Sequence, residues 1–168
     1  MRAIREKVWE TNSSSSHTVS IRGKKEITKY AFVGDSKSLV VYLEEYGWNG
    51  YPCDDFMSKL EYAMCMVLMT EYPDFRYWDE HDFTVNQTVL ESLDGYQLLL
   101  NAVRTQFPDC KEIVIKKNDG YYPYGYIDHQ SCEGYSSLRD FLEDWNLTAE
   151  RYLFDYGVVV HIDNDNHY

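Results

Sequence analysis

Cysteine is scarce in this chain and follows no pattern. Cys53, Cys65, Cys110 and Cys132 are scattered with no C-x-x-C pair, so neither a zinc quartet nor a disulfide framework is expected, and reduced thiols are the expected state. Long apolar runs are missing as well: nothing approaches the roughly eighteen uninterrupted apolar residues of a membrane span. The opening, MRAIREKVWE, lacks the apolar core of a signal peptide. The expectation is a cytoplasmic location in whatever host cell makes the protein, with no membrane partner. Basic residues are also in short supply, 16 Lys and Arg against 28 Asp and Glu, for a formal net charge of -12. A nucleic-acid groove needs a basic face to neutralise phosphates and release counterions, so direct nucleic-acid binding is not the expectation. Two small basic groups, Arg22, Lys24 and Lys25 and then Lys111, Lys116 and Lys117, read as solvated strand edges, where lysine discourages edge-to-edge pairing. No phosphate-binding loop and no familiar catalytic triad can be picked out by spacing.

What is present is apolar and aromatic. Hydrophobic residues make up 44% and aromatic residues 16% of the 168, too many for a disordered chain. The length suits one core, so residues 1–168 are expected to form a single domain. Alternation of apolar and charged residues gives a short strand over 3–9, a second over 17–22 and a third over 27–33. Ser36 or Ser38 is a candidate N-cap for a short helix carrying Leu39, Val40, Leu43 and Tyr46, with Gly47 as its stop. Asp54 or Asp55 caps a longer helix through Met69, in which Phe56, Leu60, Ala63, Met64, Val67 and Leu68 keep helical spacing. A second long helix is expected over 87–107, with Asp94-Gly95 as a point of division. Residues 112–116 read as a strand, and 121–127 as its hairpin partner after the Asn118-Asp119-Gly120 turn. Ser136 or Ser137 caps a helix through Trp145, and 157–162 is a final strand. Strands at both ends with helices between them imply an α+β fold: a mixed, mainly antiparallel sheet packed against central helices.

Four stretches carry candidate chemistry. The run Asn12, Ser13, Ser14, Ser15, Ser16 and His17, set as a polar turn between two strands, would gather hydroxyls and backbone N–H groups that suit an anion. His17 then offers a general acid or base, or a metal ligand; the plainer reading is a turn whose side chains satisfy their own backbone. Asp128, His129, Gln130 and Ser131 follow a strand, where loop residues often carry function. The tail from His161 to His167 has alternating oxygen ligands but lacks the glycine and glutamate of a calcium loop, and reads as a solvated terminus. Were His17, Asp128 or His129, and Asp163 to converge, a divalent metal would suit them, the one cofactor that the sequence suggests. Last, Tyr121, Tyr122 and Tyr124 line a tyrosine-rich hairpin edge that Tyr77 and Trp78 could extend into a partner-facing surface, since tyrosine gives large contact area at small entropic cost.

The stretch Trp9-Glu10-Thr11-Asn12-Ser13-Ser14-Ser15-Ser16-His17-Thr18-Val19-Ser20-Ile21, with the later Tyr126-Ile127-Asp128-His129-Gln130-Ser131 and a strand ending in Asp163-Asn164, resembles a group of small uncharacterised proteins from phages and mobile elements. The resemblance implies a phage-encoded accessory or anti-defence role and transfers no residue roles. Two functions are therefore expected to compete. The first is an anti-defence inhibitor that binds a host nucleic-acid-handling complex such as a CRISPR effector. The second is a hydrolase, nuclease or nucleotide-ligand-binding protein built on the serine turn, His17 and the Asp128-His129 loop.

Overall fold

The computed structural model describes residues 15–21, 37–46, 52–73, 75, 84–118, 123–127 and 135–164. In chain order the elements are β1 (Ser15–Ile21), β2 (Ser38–Tyr42), β3 (Glu45–Tyr46), α1 (Phe56–Glu71), α2 (Gln87–Glu91), α3 (Asp94–Gln106), β4 (Glu112–Lys116), β5 (Tyr126–Ile127), α4 (Leu138–Asp144), α5 (Ala149–Phe154) and β6 (Val158–Asn164). The fold is α+β. The sheet pairing corrects one expectation: β1–β6 is antiparallel, but β2–β4 and β3–β5 are both parallel. Parallel partners need a long crossover, and the segment from β2 to β4, which holds α1, α2 and α3, supplies it.

The residues at 38–42 form a strand where a helix was expected. Leu39, Leu43 and Tyr46 share helical spacing and are all buried, which is why the pattern misleads. Within Ser38–Tyr42, however, burial alternates with period two, and the β-branched Val40 and Val41 favour the pleat over a helix. The pairing with Ile113 through Ile115 completes the choice. The segment 121–127 also departs from the expected hairpin. Asn118 N–H donates to the Pro123 carbonyl at 2.9 Å, so the chain does fold back, but Tyr126 and Ile127 pair with β3 instead of β4. Gly125 permits this. Its φ is +73°, and a Cβ there would lie 2.5 Å from Leu43 Cβ and 2.9 Å from the Glu44 carbonyl, a conformation and an approach that only glycine supports.

Helix starts follow the capping rules closely. Asp55 accepts from Met57 and Ser58 N–H, Asn86 from Thr88 and Val89, Ser137 from Asp140 and Thr148 from Arg151. The expected helix over 87–107 is divided, but at Ser92-Leu93: α2 ends at Glu91, and Asp94 and Gly95 are the first residues of α3. Helix α1 is the centre of the core. From Tyr62 to Leu68 seven consecutive residues are buried, so it is enclosed on every side rather than amphipathic. Around it, Phe56 stacks on Phe154 with centroids 5.0 Å apart, and Phe141 meets Tyr152 edge-to-face at 5.9 Å. Strand β6 runs through the buried Val158 and Val160, with β1 on one edge and a Cys53 bridge on the other, Cys53 N–H to Val160 carbonyl at 2.8 Å.

Candidate functional site

Of the serine run, only Ser15, Ser16 and His17 lie among the described residues. Ser15, Ser16 and His17 belong to strand β1, opposite Asn164, Asp163 and Ile162 respectively, so they are ladder residues instead of members of a turn. The first part of the tail, 161–164, continues β6 and is paired with β1, while 165–167 lie outside the described residues. Ladder bonds hold the two backbones extended there, which excludes hydroxyl-closed turns at these positions. The backbones of two stretches singled out for their chemistry are thus neighbours. Asn12, Ser13, Ser14, Asp128, His129, Gln130, Ser131, Tyr77, Trp78, Tyr121 and Tyr122 lie outside the described residues. Tyr124 is inside them and only 6% exposed, with Lys117 Nζ 5.6 Å from its ring centroid. It packs in the core and presents no open face to a partner.

Sequence reasoning missed the polar contact that the β1–β6 ladder creates. Ser20 Oγ and His161 Nε2 are 2.9 Å apart and partly buried, on a diagonal between the Thr18–His161 and Ser20–Val159 pairs. Only the strand register reveals it, because the two residues are separated by almost the whole described chain. Chemically it is a hydroxyl within reach of an imidazole, the first two parts of an activated nucleophile.

A second feature missed in the sequence is an acidic face. Tyr42, 50% exposed, is the one large hydrophobic residue exposed among those described. It ends β2, and after the buried Leu43 come exposed Glu44 and Glu45. Glu61, on α1, is half-buried behind them. Its carboxyl is pushed up to about 7, chiefly by burial, with like-charge repulsion from Glu44 and Asp55 adding to the shift and the Tyr42 backbone N–H opposing it. Beneath it the Tyr46 hydroxyl is buried with no hydrogen-bond partner, its ring set edge-on to Tyr62 at 5.2 Å. Among the described residues the only salt bridge shown is Arg151–Asp155, so no cation is seen to pair with this acidic group.

Lys59, two residues before Glu61, is the opposite case. It is 1% exposed, and its ammonium donates to the Asp155 carbonyl at 3.0 Å and the Val158 carbonyl at 3.3 Å. Burial lowers its pKa to about 8 against the pull of Asp155, Asp55 and Asp54. Cys53 nearby is buried and its thiol is pushed up to about 12, again mainly by burial, which leaves it protonated and inert at neutral pH. Among the described residues no group of His, Cys, Asp and Glu is placed to hold a metal, and no helix is long and apolar enough to cross a membrane.

The third feature is a cleft of about 380 Å³ where the end of α1 meets the starts of α3 and α4. Glu71 forms part of its lining. One carboxylate oxygen accepts from Gly95 N–H at 2.8 Å and the other from Leu138 N–H at 3.2 Å. A single side chain so satisfies orphan donors at two helix starts. Comparison with family models, curated proteins and solved structures finds no match to this chain.

Proposed function

We propose that this protein is an acidic, non-enzymatic binder that occupies a basic, nucleic-acid-handling surface of a host defence complex, in the manner of a phage-encoded anti-defence inhibitor. The observation that carries the reading is the acidic face around Tyr42. Carboxylates crowded together, with no ion pair to Glu44, Glu45 or Glu61 among the described residues, are held at a cost that a partner's lysine or arginine removes. The exposed Tyr42 ring adds the aromatic anchor that interfaces favour. The net charge of -12 supplies long-range attraction to a basic groove, and the resemblance of the serine-rich opening to small phage proteins points the same way.

The test is binding of the purified full chain to purified RNA-guided effector complexes at low and moderate salt. The wild type is expected to bind, with affinity falling steeply as salt rises. A Glu44→Lys, Glu45→Lys double variant should bind about tenfold or more weakly, the equivalent of about 1.4 kcal/mol, and should retain its fold because both side chains are exposed. Binding that ignores both salt and charge reversal overturns this reading.

One observation favours a second reading. The Ser20–His161 contact, beside the His17 and Asp163 positions of the ladder, supports a hydrolase acting on a phosphodiester or nucleotide signal, with Ser20 as nucleophile and His161 as base. Ser20→Ala separates the two readings, as discussed below.

A further inference from the structure

An aromatic ring and two carboxyl groups meet on the acidic face. Tyr42 and Glu44 are exposed on either side of the buried Leu43, an alternation that turns both side chains outward. Glu61 joins them from α1, where its carboxyl accepts from the Tyr42 N–H and stands close to Glu44. Lys116, opposite Tyr42 in the β2–β4 register, neither pairs with these carboxyl groups nor lies over the Tyr42 ring. The ring and the carboxyl groups are therefore open to a cation from outside.

The Tyr46 side chain points to such a cation from beneath. It is only 7% exposed, and its hydroxyl is buried with no hydrogen-bond partner. Burial holds the hydroxyl proton well above its ordinary pKa, and Cys65, Cys53 and Glu61 add to this at short range. Glu61 and Cys65 are one helical turn apart on the same face of α1, so the hydroxyl faces the stripe that carries Glu61. It is a donor on the inner side of a carboxyl that burial and like charge keep partly protonated near neutral pH. A cation on the outer side ionises that carboxyl, and the Tyr46 O–H then has a charged acceptor.

We propose that, on the binder reading above, this face takes an arginine side chain of the partner, its guanidinium stacked on Tyr42 and forked onto Glu44 and Glu61, with the Tyr46 hydroxyl closing the inner side of Glu61. A guanidinium is planar, weakly hydrated and presents its donors as a fork, so it stacks and bonds at once. A lysine ammonium is a strongly hydrated point charge that suits this arrangement less well.

The experiment titrates the isotopically labelled full chain, at constant ionic strength, with the N-acetyl methylamides of arginine, lysine and citrulline, following the amide signals of Tyr42, Glu44 and Glu61. The arginine compound is expected to shift these signals saturably, the lysine compound to bind about fivefold more weakly, and the neutral citrulline compound to leave them in place. Tyr42→Leu should reduce arginine to the affinity of lysine, and Tyr46→Phe should weaken both cations about threefold, with the rest of the spectrum unchanged. The absence of a saturable shift up to about 50 mM arginine compound, equal binding of arginine and lysine, or wild-type affinity in either variant overturns the proposal. An effector complex bound equally by wild type and Tyr42→Leu, with no preference for arginine, refutes the arginine site and leaves the acidic binder standing, whereas a preference for arginine without effector binding refutes the binder alone.

Discussion

Lys59 and Glu61 lie two residues apart on α1, and the regions around them treat charge in opposite ways. Around Lys59 every polar group shown has a partner. The ammonium is held by two backbone carbonyls, Tyr152 donates to the Lys59 carbonyl at 3.0 Å, and Gly157 and Val158 N–H both donate to Asp155. Around Glu61 the neighbours are Glu44 and Asp55, and the Tyr46 hydroxyl is buried with nothing to bond. A buried charge with a complete set of hydrogen bonds belongs to the architecture. A half-buried charge facing its own kind is a place where something from outside improves matters, which is why the acidic face carries the functional reading and Lys59 does not.

The largest effect is expected on the Lys59 side. Lys59→Ala leaves the Asp155 and Val158 carbonyls without their donor and opens a cavity, and should cost about 3 kcal/mol in urea unfolding. Lys59→Met keeps the volume and should cost less, about 1 to 2 kcal/mol. The two proteins also differ in pH dependence. The folded-state pKa of about 8 lies below the ordinary 10.5, so between these values the unfolded chain binds more protons and wild-type stability rises with pH. The gain relative to Lys59→Met across that window should be on the order of 2 kcal/mol. A flat difference between wild type and Lys59→Met would mean that the amine is not the buried cation described.

On the Glu61 side the sign reverses. The folded-state pKa of about 7 lies above the ordinary 4.5, so the folded chain holds its proton more tightly in this window. The associated stability is fully present below pH 4.5 and is lost as pH rises through about 7. Glu61→Gln retains an acceptor for the Tyr42 N–H and cannot ionise. It should match wild type in urea midpoint near pH 4 and exceed it by about 1 kcal/mol at pH 8. A substitution that stabilises a protein while weakening its partner binding is the signature of a site kept for function. If Glu61→Gln instead destabilises at pH 8, the two regions are alike and the acidic face is ordinary architecture.

This contrast was only partly legible in the sequence. Caps and apolar stripes are local, so the caps could be read to within one residue, at Asp54 or Asp55 and at Ser136 or Ser137, the α2–α3 division to within two, and the α1 core directly. What escaped was set by pairing between distant segments. Leu39, Leu43 and Tyr46 satisfy a helical period while the β4 partner that makes 38–42 a strand lies far along the chain. The parallel pairings of β2 and β3 follow from the same kind of distant contact, as does the burial of Tyr124, which the Gly125 approach to Leu43 draws inward. Charge behaves likewise. Lys59 interrupts the apolar stripe of α1 and reads locally as an exposed position; only the turn at 155–158 reveals its partners. Glu44 and Glu61 are unremarkable until β2 and α1 are packed together.

The smallest effect is the most useful for separating the two functional readings. Ser20→Ala removes the contact to His161, a single hydrogen bond in a partly buried position, and should lower stability by about 1 kcal/mol or less. The ladder itself is intact because both residues keep their backbone pairing. If the protein is a binder, Ser20→Ala should match wild type in its affinity for the effector complex, since the Ser20 hydroxyl contributes only to the β1–β6 pair. If Ser20 is a nucleophile with His161 as its base, the variant should fold normally and lose hydrolysis of a bis(p-nitrophenyl) phosphate probe by about a hundredfold or more, as deletion of an activated nucleophile does. Wild-type protein that leaves the probe intact, together with unchanged affinity in Ser20→Ala, confines this pair to holding two strands together and leaves the acidic face as the working surface.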